Sequence, residues 1–400
     1  MSTGEVKEGA REMQSVDVAV LESSEQAMRK KGGDRTFRIS FLGFYGRNNF
    51  GDDLFGFILQ AICASRRGLV AQIVGASAKR ELKGAFRLPV VHRFWIASGV
   101  GGALARCLTY AVAIVRADAV VFGGGTLFGA GASIGFARFA TRVSGALGRS
   151  VAALGVSVGP FSSDERRSAF AAVIKRLSCI AVRDKSSVEA VLELDGRRPA
   201  NLCDLAFSLP AIYTPALNRE RTRTLLVSIH LDDYTDAVLE ILGAVDRAGL
   251  VDEVMFVSLD GESVAATGDI ARLFKPERVR VSRYRYDGSI TEVIDLLANA
   301  SCVVTSKLHG AITSYVYHVP ALLFCYQRKC VEFLDDRGLP GPREPSPTAT
   351  DCVTTVTSML TGQCEAPRFG GAADHLEAFG RFLDDLKSDR AGEDERVGAA

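Results

Sequence analysis

The chain has 400 residues, 47% hydrophobic and 24% charged, enough to bury a large core and too many for a single one, so two domains are expected. Lysine and arginine number 48 against 47 aspartate and glutamate, a balance that excludes the net positive field of a nucleic-acid-binding protein. Nine scattered cysteines form no Cys-x-x-Cys pair and no zinc-like spacing, so they read as reduced core residues with no metal site.

Residues 1–36 are polar and charged, RKKGGDR included, and are expected to form a flexible tail. They lack the basic-then-apolar layout of a secretory signal, which makes the cytoplasm the expected compartment. From Phe37 onward, apolar runs alternate with segments of helical periodicity. FRISFLGF (37–44), LVAQIVG (69–75), DAVVFGGG (118–125), SVAALGVSVG (150–159), CIAVRD (179–184) and NLCDLAF (201–207) read as buried strands of one parallel, doubly wound sheet. The apolar stretch 97–115 carries Arg106 near its middle and glycines at 99, 101 and 102. An intramembrane arginine is costly, so this is a buried or interfacial helix with at most peripheral membrane contact.

A Thr/Pro/Asn/Arg stretch at 210–223 is a linker, and a second series follows: TLLVSIH (224–230), VDEVMFVSL (251–259), RVRVS (278–282), SCVVTS (301–306) and PALLFCY (320–326). The fold class is therefore α/β, with two Rossmann-like domains facing a cleft. The N-terminal domain spans 37–213 and takes the acceptor side; the C-terminal domain spans 214–345 and takes the donor side. Helices over 346–388, including a run at 373–387 after the Pro-rich break at 340–348, pack back on the N-terminal domain, and 389–400 is a frayed tail.

Ligands of such folds bind outside the carboxyl ends of the strands, and four segments there carry chemistry. In GFYGRNNFGDD (43–53), Asn49, Asp52 and Asp53 supply polar groups at a helix start; either aspartate could be a plain N-cap or face a ligand. Gly123, Gly124 and Gly125 end a strand, either to admit a ligand to the main chain or as a packing turn. In AVRDKSS (181–187), Arg183 can bind an anion or pair with Asp184 or Asp204, and Asp184 looks like a helix cap. In TSKLHGAITS (305–314), Ser306 can cap, and Lys307 and His309 flank a helix start whose free N–H groups favour an anion; a backbone-satisfied histidine is the competing reading. Tyr326 and Lys329 lie at the next strand end, where Lys329 can face the same anion, and His230 is a spare histidine at a strand end.

At these residues the sequence resembles the polysaccharide pyruvyl transferase family, over about 38–340. The resemblance rests on Gly43, Gly46, Asn49, Gly51 and Asp52, then Gly123 to Gly125, the Ser157–Gly159 turn, Val182-Arg183-Asp184, and Ser306 to Gly310, in that order. It implies a GT-B-like pair of domains and transfer of a pyruvyl group from phosphoenolpyruvate to a sugar as a ketal, with neither metal nor cofactor. On that reading His309 is the general acid. Arg183 and Lys307 hold the donor, joined by Gly310, Tyr326 and Lys329, while Asn49, Asp52, Asp53 and Gly123 to Gly125 face a saccharide acceptor, lipid-linked or polymeric. Lys307 stands where the family usually has arginine, and lysine lacks the bidentate fork that grips carboxylate or phosphate. A GT-B glycosyltransferase using a nucleotide sugar and a non-catalytic sugar-binding or assembly protein are the alternatives. The oligomeric state is left open.

Overall fold

The computed structural model describes residues 36–76, 81–89, 95, 99–216, 222–364 and 366–398; the tail expected over 1–36 lies outside them except for Thr36, as do 217–221 of the expected linker. From Phe37 the chain runs β1 (Phe37–Leu42), α1 (Phe50–Ala64), β2 (Leu69–Val74), β3 (Ala85–Phe86), α2 (Val100–Val115), β4 (Ala119–Phe128), α3 (Ile134–Ala146), β5 (Ser150–Val158), α4 (Asp164–Ile174), β6 (Cys179–Val182), α5 (Lys185–Asp195) and β7 (Ala200–Asn201). These strands form one parallel sheet in the order β3-β2-β1-β4-β5-β6-β7.

The second half comprises β8 (Thr224–Ser228), α6 (Thr235–Arg247), β9 (Glu253–Ser258), α7 (Ser263–Leu273), β10 (Arg280–Arg285), α8 (Ile290–Asn299), β11 (Cys302–Thr305), α9 (Leu308–Val316) and β12 (Ala321–Leu323), in a separate parallel sheet ordered β10-β9-β8-β11-β12. It is followed by α10 (Arg328–Asp336), α11 (Ala349–Leu360) and α12 (Ala372–Gly398). The two sheets make a GT-B-like pair of Rossmann-like α/β halves.

The near-continuous burial of β1, β4, β5, β8 and β11 follows from helices covering both faces of each sheet, which is why these strands read as apolar runs rather than alternating ones. One core lies under α2–α5 and another between the second sheet and α6, α7 and α11. A third is shared: Phe55 and Leu59 of α1 pack in one cluster with Leu205, Leu297 of α8, Tyr315 of α9, and Phe379 and Leu383 of α12. In each sheet the strand order reverses, between β1 and β4 and between β8 and β11. Three of the four motif loops leave these strands, where such sheets open a crevice, and the fourth leaves β6, two strands from β4.

Three local expectations are corrected. Residues 202–207 do not extend a strand: β7 stops at Asn201, and Asp204 accepts from Ala206 N at 3.0 Å to cap a 3-10 helix, Leu205–Ala211. Pro210 belongs to that helix rather than to a linker. The last helix does not fray at 389 but continues to Gly398 through a run rich in Ala, Glu, Asp and Arg.

Candidate active site

The loop after β1 turns through Gly46 (φ 72°) and Asn48 (φ 55°) into Asn49, which is the N-cap of α1 and accepts from Asp52 N at 3.3 Å. The cap is therefore Asn49 and neither aspartate. Its neighbours tie the halves together: Phe50 N donates to Leu259 O at 2.9 Å, and Asn49 forms a β-bridge with Asp260. Asp53, expected to face the acceptor, is buried instead; it accepts from Gly46 N at 2.7 Å and from the Tyr286 hydroxyl at 2.8 Å across the interface.

Asp52, one residue earlier, points the other way. No hydrogen bond to its carboxylate is present among the described residues, and the carboxylate lies near Gly125. Burial, then the charge of Asp53, pushes it up to about 7, with Arg47 and Lys329 opposing. It is a carboxyl able to exchange a proton near neutral pH.

The three glycines divide. A Cβ on Gly123 would meet the Tyr45 hydroxyl and Leu59 at 2.6 Å, and one on Gly124 would meet Phe55 at 2.6 Å, so packing within the chain requires glycine at both. The Gly123 carbonyl accepts from Tyr45 OH at 2.5 Å. A Cβ on Gly125 (φ 78°) would meet nothing nearer than Asp52 Oδ1 at 3.7 Å, so Gly125 remains a candidate ligand contact.

Arg183, at the end of β6, is buried; its Nε donates to Ser157 Oγ at 2.6 Å and its Nη1 to Asp204 at 3.1 Å, with Asp184 at 3.6 Å. The ion pair with Asp204 is thus present. Asp184 caps α5 through Ser187 N at 2.8 Å. Lys307 is likewise engaged, with Asp260 at 2.5 Å and Glu262 at 3.1 Å. Ser306 does not cap α9 but bonds His230 Nδ1 at 2.6 Å; the N-cap position is Lys307, without a side-chain cap bond. Among the described residues no side chain caps the first turn of α9, as an anion site requires. Gly310 packs against Leu259 and Thr305.

Lys329, on the first turn of α10, differs from the other two cations. It makes no ion pair among the described residues, and its Nζ lies 5.7 Å from the Tyr326 ring. Burial, then the charge of Arg183, holds its ammonium below the usual lysine range. A desolvated cation repelled by its neighbours is stabilised by an incoming anion. Tyr326 also packs edge-on to His230, whose burial, with the Lys307 charge, brings it down to about 4.

His309 packs edge-on to Phe55 at 4.6 Å and lies against Gly51, where a Cβ would land on its Nδ1. Its Nε2 is buried without a hydrogen bond and faces Asp204 Oδ2 at 3.7 Å, so no backbone carbonyl satisfies it; the side chain is 19% exposed. Burial lowers its pKa, opposed by Asp204 and assisted by Arg183 and Lys329. Burial raises Asp204, but His309 and Arg183 outweigh this and bring it to about 2, so a fixed carboxylate faces the imidazole. Asp204 was named only as a possible partner of Arg183 and not as a site residue; its sequence signal is a lone acid in an apolar run, NLCDLAF. A separate cavity of about 430 Å³, lined by Phe161, Ser163, Ser186, Arg167, Arg328 and Glu193 among others, combines serine hydroxyls, an aromatic ring and charges of both signs.

The polysaccharide pyruvyl transferase family model matches residues 49–328. The chain belongs to the polysaccharide pyruvyl transferase family. No curated protein matches it. Among solved structures it is similar to a putative UDP-N-acetylglucosamine 2-epimerase from Listeria monocytogenes (TM-score 0.58, 11% identity, 86% of this chain and 94% of that one). It is also similar to UDP-GlcNAc 2-epimerases from Methanocaldococcus jannaschii (0.57, 11%, 89% and 100%) and from Neisseria meningitidis, the latter bound to UDP-GlcNAc (0.56, 8%, 88% and 100%). At such identities the likeness of this pyruvyl transferase family member to the epimerases is one of fold.

Proposed function

We propose that the chain transfers a pyruvyl group from phosphoenolpyruvate to two hydroxyls of a saccharide, forming a ketal. The observation that carries the reading is a half-buried Lys329, with no ion pair among the described residues, whose charge acts on two titratable groups, Asp52 and His309, near the first turn of α9. The donor's phosphate and carboxylate pair with Lys329 and the α9 N–H groups, with Tyr326 alongside. Lys307 and Arg183 add positive potential while anchored by their own acids. No metal or further cofactor enters the scheme.

The reaction adds two sugar hydroxyls in turn to the central carbon of the enol, protonates its methylene to a methyl group, and expels phosphate. One hydroxyl proton balances the methylene and the other leaves with phosphate. His309 donates to the methylene: bound donor charge offsets Lys329 and Arg183, raising the imidazole pKa, and Asp204 stabilises the imidazolium. Asp52 relieves an acceptor hydroxyl of its proton, with Asn49 and Gly125 beside it and the cavity at Ser186 and Arg328 taking further sugar units.

Incubation with phosphoenolpyruvate and defined oligosaccharides should release phosphate and give a product heavier by one pyruvyl ketal by mass spectrometry. Consumption of a UDP-sugar without donor turnover would replace the proposal with glycosyl transfer, and turnover of neither would leave a saccharide-binding protein.

A further inference from the structure

The helices α2–α5 pack side by side as one layer on the first sheet, and α2, at its edge, has an outer face without charge. Val100 is 87% exposed, Leu104 59%, Leu108 52% and Val115 57%, with Val112 at 36%. Val100, Leu104, Leu108 and Val112 recur every four residues and so form one stripe, while Tyr110, Ala113 and Ile114 turn inward. Five large apolar side chains in one exposed row exceed the scattered exposure usual for a soluble surface.

The segment that carries the stripe is one-sided in charge. Between Leu82 and Ser163 the sequence has eight lysines and arginines and one acid, Asp118, although the whole chain is nearly neutral. On α3, beside α2, Arg138 and Arg142 are exposed, and Arg116 ends α2 itself. An uncharged apolar row flanked by cations complements an anionic phospholipid surface, into whose headgroup region such a face can sink while arginines meet the phosphates. The helix is too short to span: no described helix is long and apolar enough to cross a membrane. Helices in a parallel sheet run opposite to the strands, so the N-terminus of α2, carrying Val100 and Leu104, lies at the end where β1 and β4 open toward Asp52 and Gly125.

We propose that the outer face of α2 docks this chain on an anionic membrane surface, with the mouth of the cleft near the lipid headgroups. The full chain should float with vesicles of phosphatidylcholine and phosphatidylglycerol, bind vesicles of phosphatidylcholine alone more weakly, and lose affinity as salt rises. Leu104→Glu with Leu108→Glu should weaken binding more than about tenfold on both vesicle types, at an unchanged melting temperature because both side chains are exposed. Arg138→Gln with Arg142→Gln should weaken it about fivefold per residue on the anionic vesicles only. Should the glutamate pair fail to fold, Leu104→Gln alone serves the same comparison. Failure of the wild type to bind either vesicle overturns the proposal, as does binding unaffected by the substitutions. A wild-type dimer that the glutamate pair converts to monomer in light scattering would assign the face to a second copy instead.

Discussion

Lys329 holds the charge that most needs an anion, so it is where donor recognition is tested. Lys329→Ala should weaken phosphoenolpyruvate binding by about 2–3 kcal/mol, and Lys329→Arg should retain most of it, by calorimetry. His309→Gln is expected to lower kcat on the order of a hundredfold to ten-thousandfold at near-normal donor affinity; normal turnover would reduce it to a packing residue. Asp52 separates catalysis from stability. Its folded pKa is raised to about 7 from 3.8, so above pH 7 the native state carries a carboxylate that burial disfavours. As pH falls from 7 toward 4, the native state takes up a proton that the unfolded chain does not, and stability rises. Asp52→Asn should therefore gain stability at pH 8 on the order of 2–4 kcal/mol, a gain that vanishes below about pH 4 in urea titrations, while losing turnover. The positions of these residues were legible as strand ends and helix starts. Asp204 was legible as one possible partner of Arg183, but the partners of Lys307 were not: its pairing with Asp260 and Glu262 depends on contacts between segments far apart in the chain.

At the scale of elements, the strands were legible because burial on both faces makes them continuous apolar runs, and the glycine turns marked their ends. What failed was short or capped structure. NLCDLAF has a strand's composition, but Asp204 offers the backbone an Asx-type cap, and a two-residue edge strand gives little in return. The three glycines at 123–125 signalled close approach correctly, yet for Gly123 and Gly124 the approaching groups are Tyr45, Leu59 and Phe55 of the chain itself. Gly51 is the sharper case, since its missing side chain makes room for the His309 imidazole on the first turn of α1. Gly51→Ala should force the ring off Asp204, lowering kcat at least about tenfold and destabilising the fold by about 1–3 kcal/mol, read from turnover and thermal melting. Wild-type turnover in this variant would mean that the packing of His309 on α1 does not set its catalytic geometry.

Across the whole molecule, the two sheets are separate but their cores are not. The shared cluster joins α1, α8, α9 and the 3-10 helix, and α12 returns from the second half to lie on the first. Phe379, Leu383 and Leu386 of α12 are buried, and Arg66 after α1 bonds Glu377 at 2.7 Å and lies 3.5 Å from Asp384. A sequence read in windows shows two strand–helix series and a late helix, but not that one apolar layer runs through all three. Two predictions of unfolding behaviour separate these pictures. Independent domains would melt in two steps; halves that share buried phenylalanine and leucine side chains should unfold in one cooperative transition by both fluorescence and circular dichroism. Phe379→Ala removes a fully buried ring from that layer, so it should lower stability by about 3–5 kcal/mol and shift the whole transition. If the variant instead uncouples one half, producing a second transition at the wild-type midpoint, α12 stabilises only the sheet it rests on, and the halves are held together by their other contacts, those of Phe50, Asp53 and Tyr286 among them.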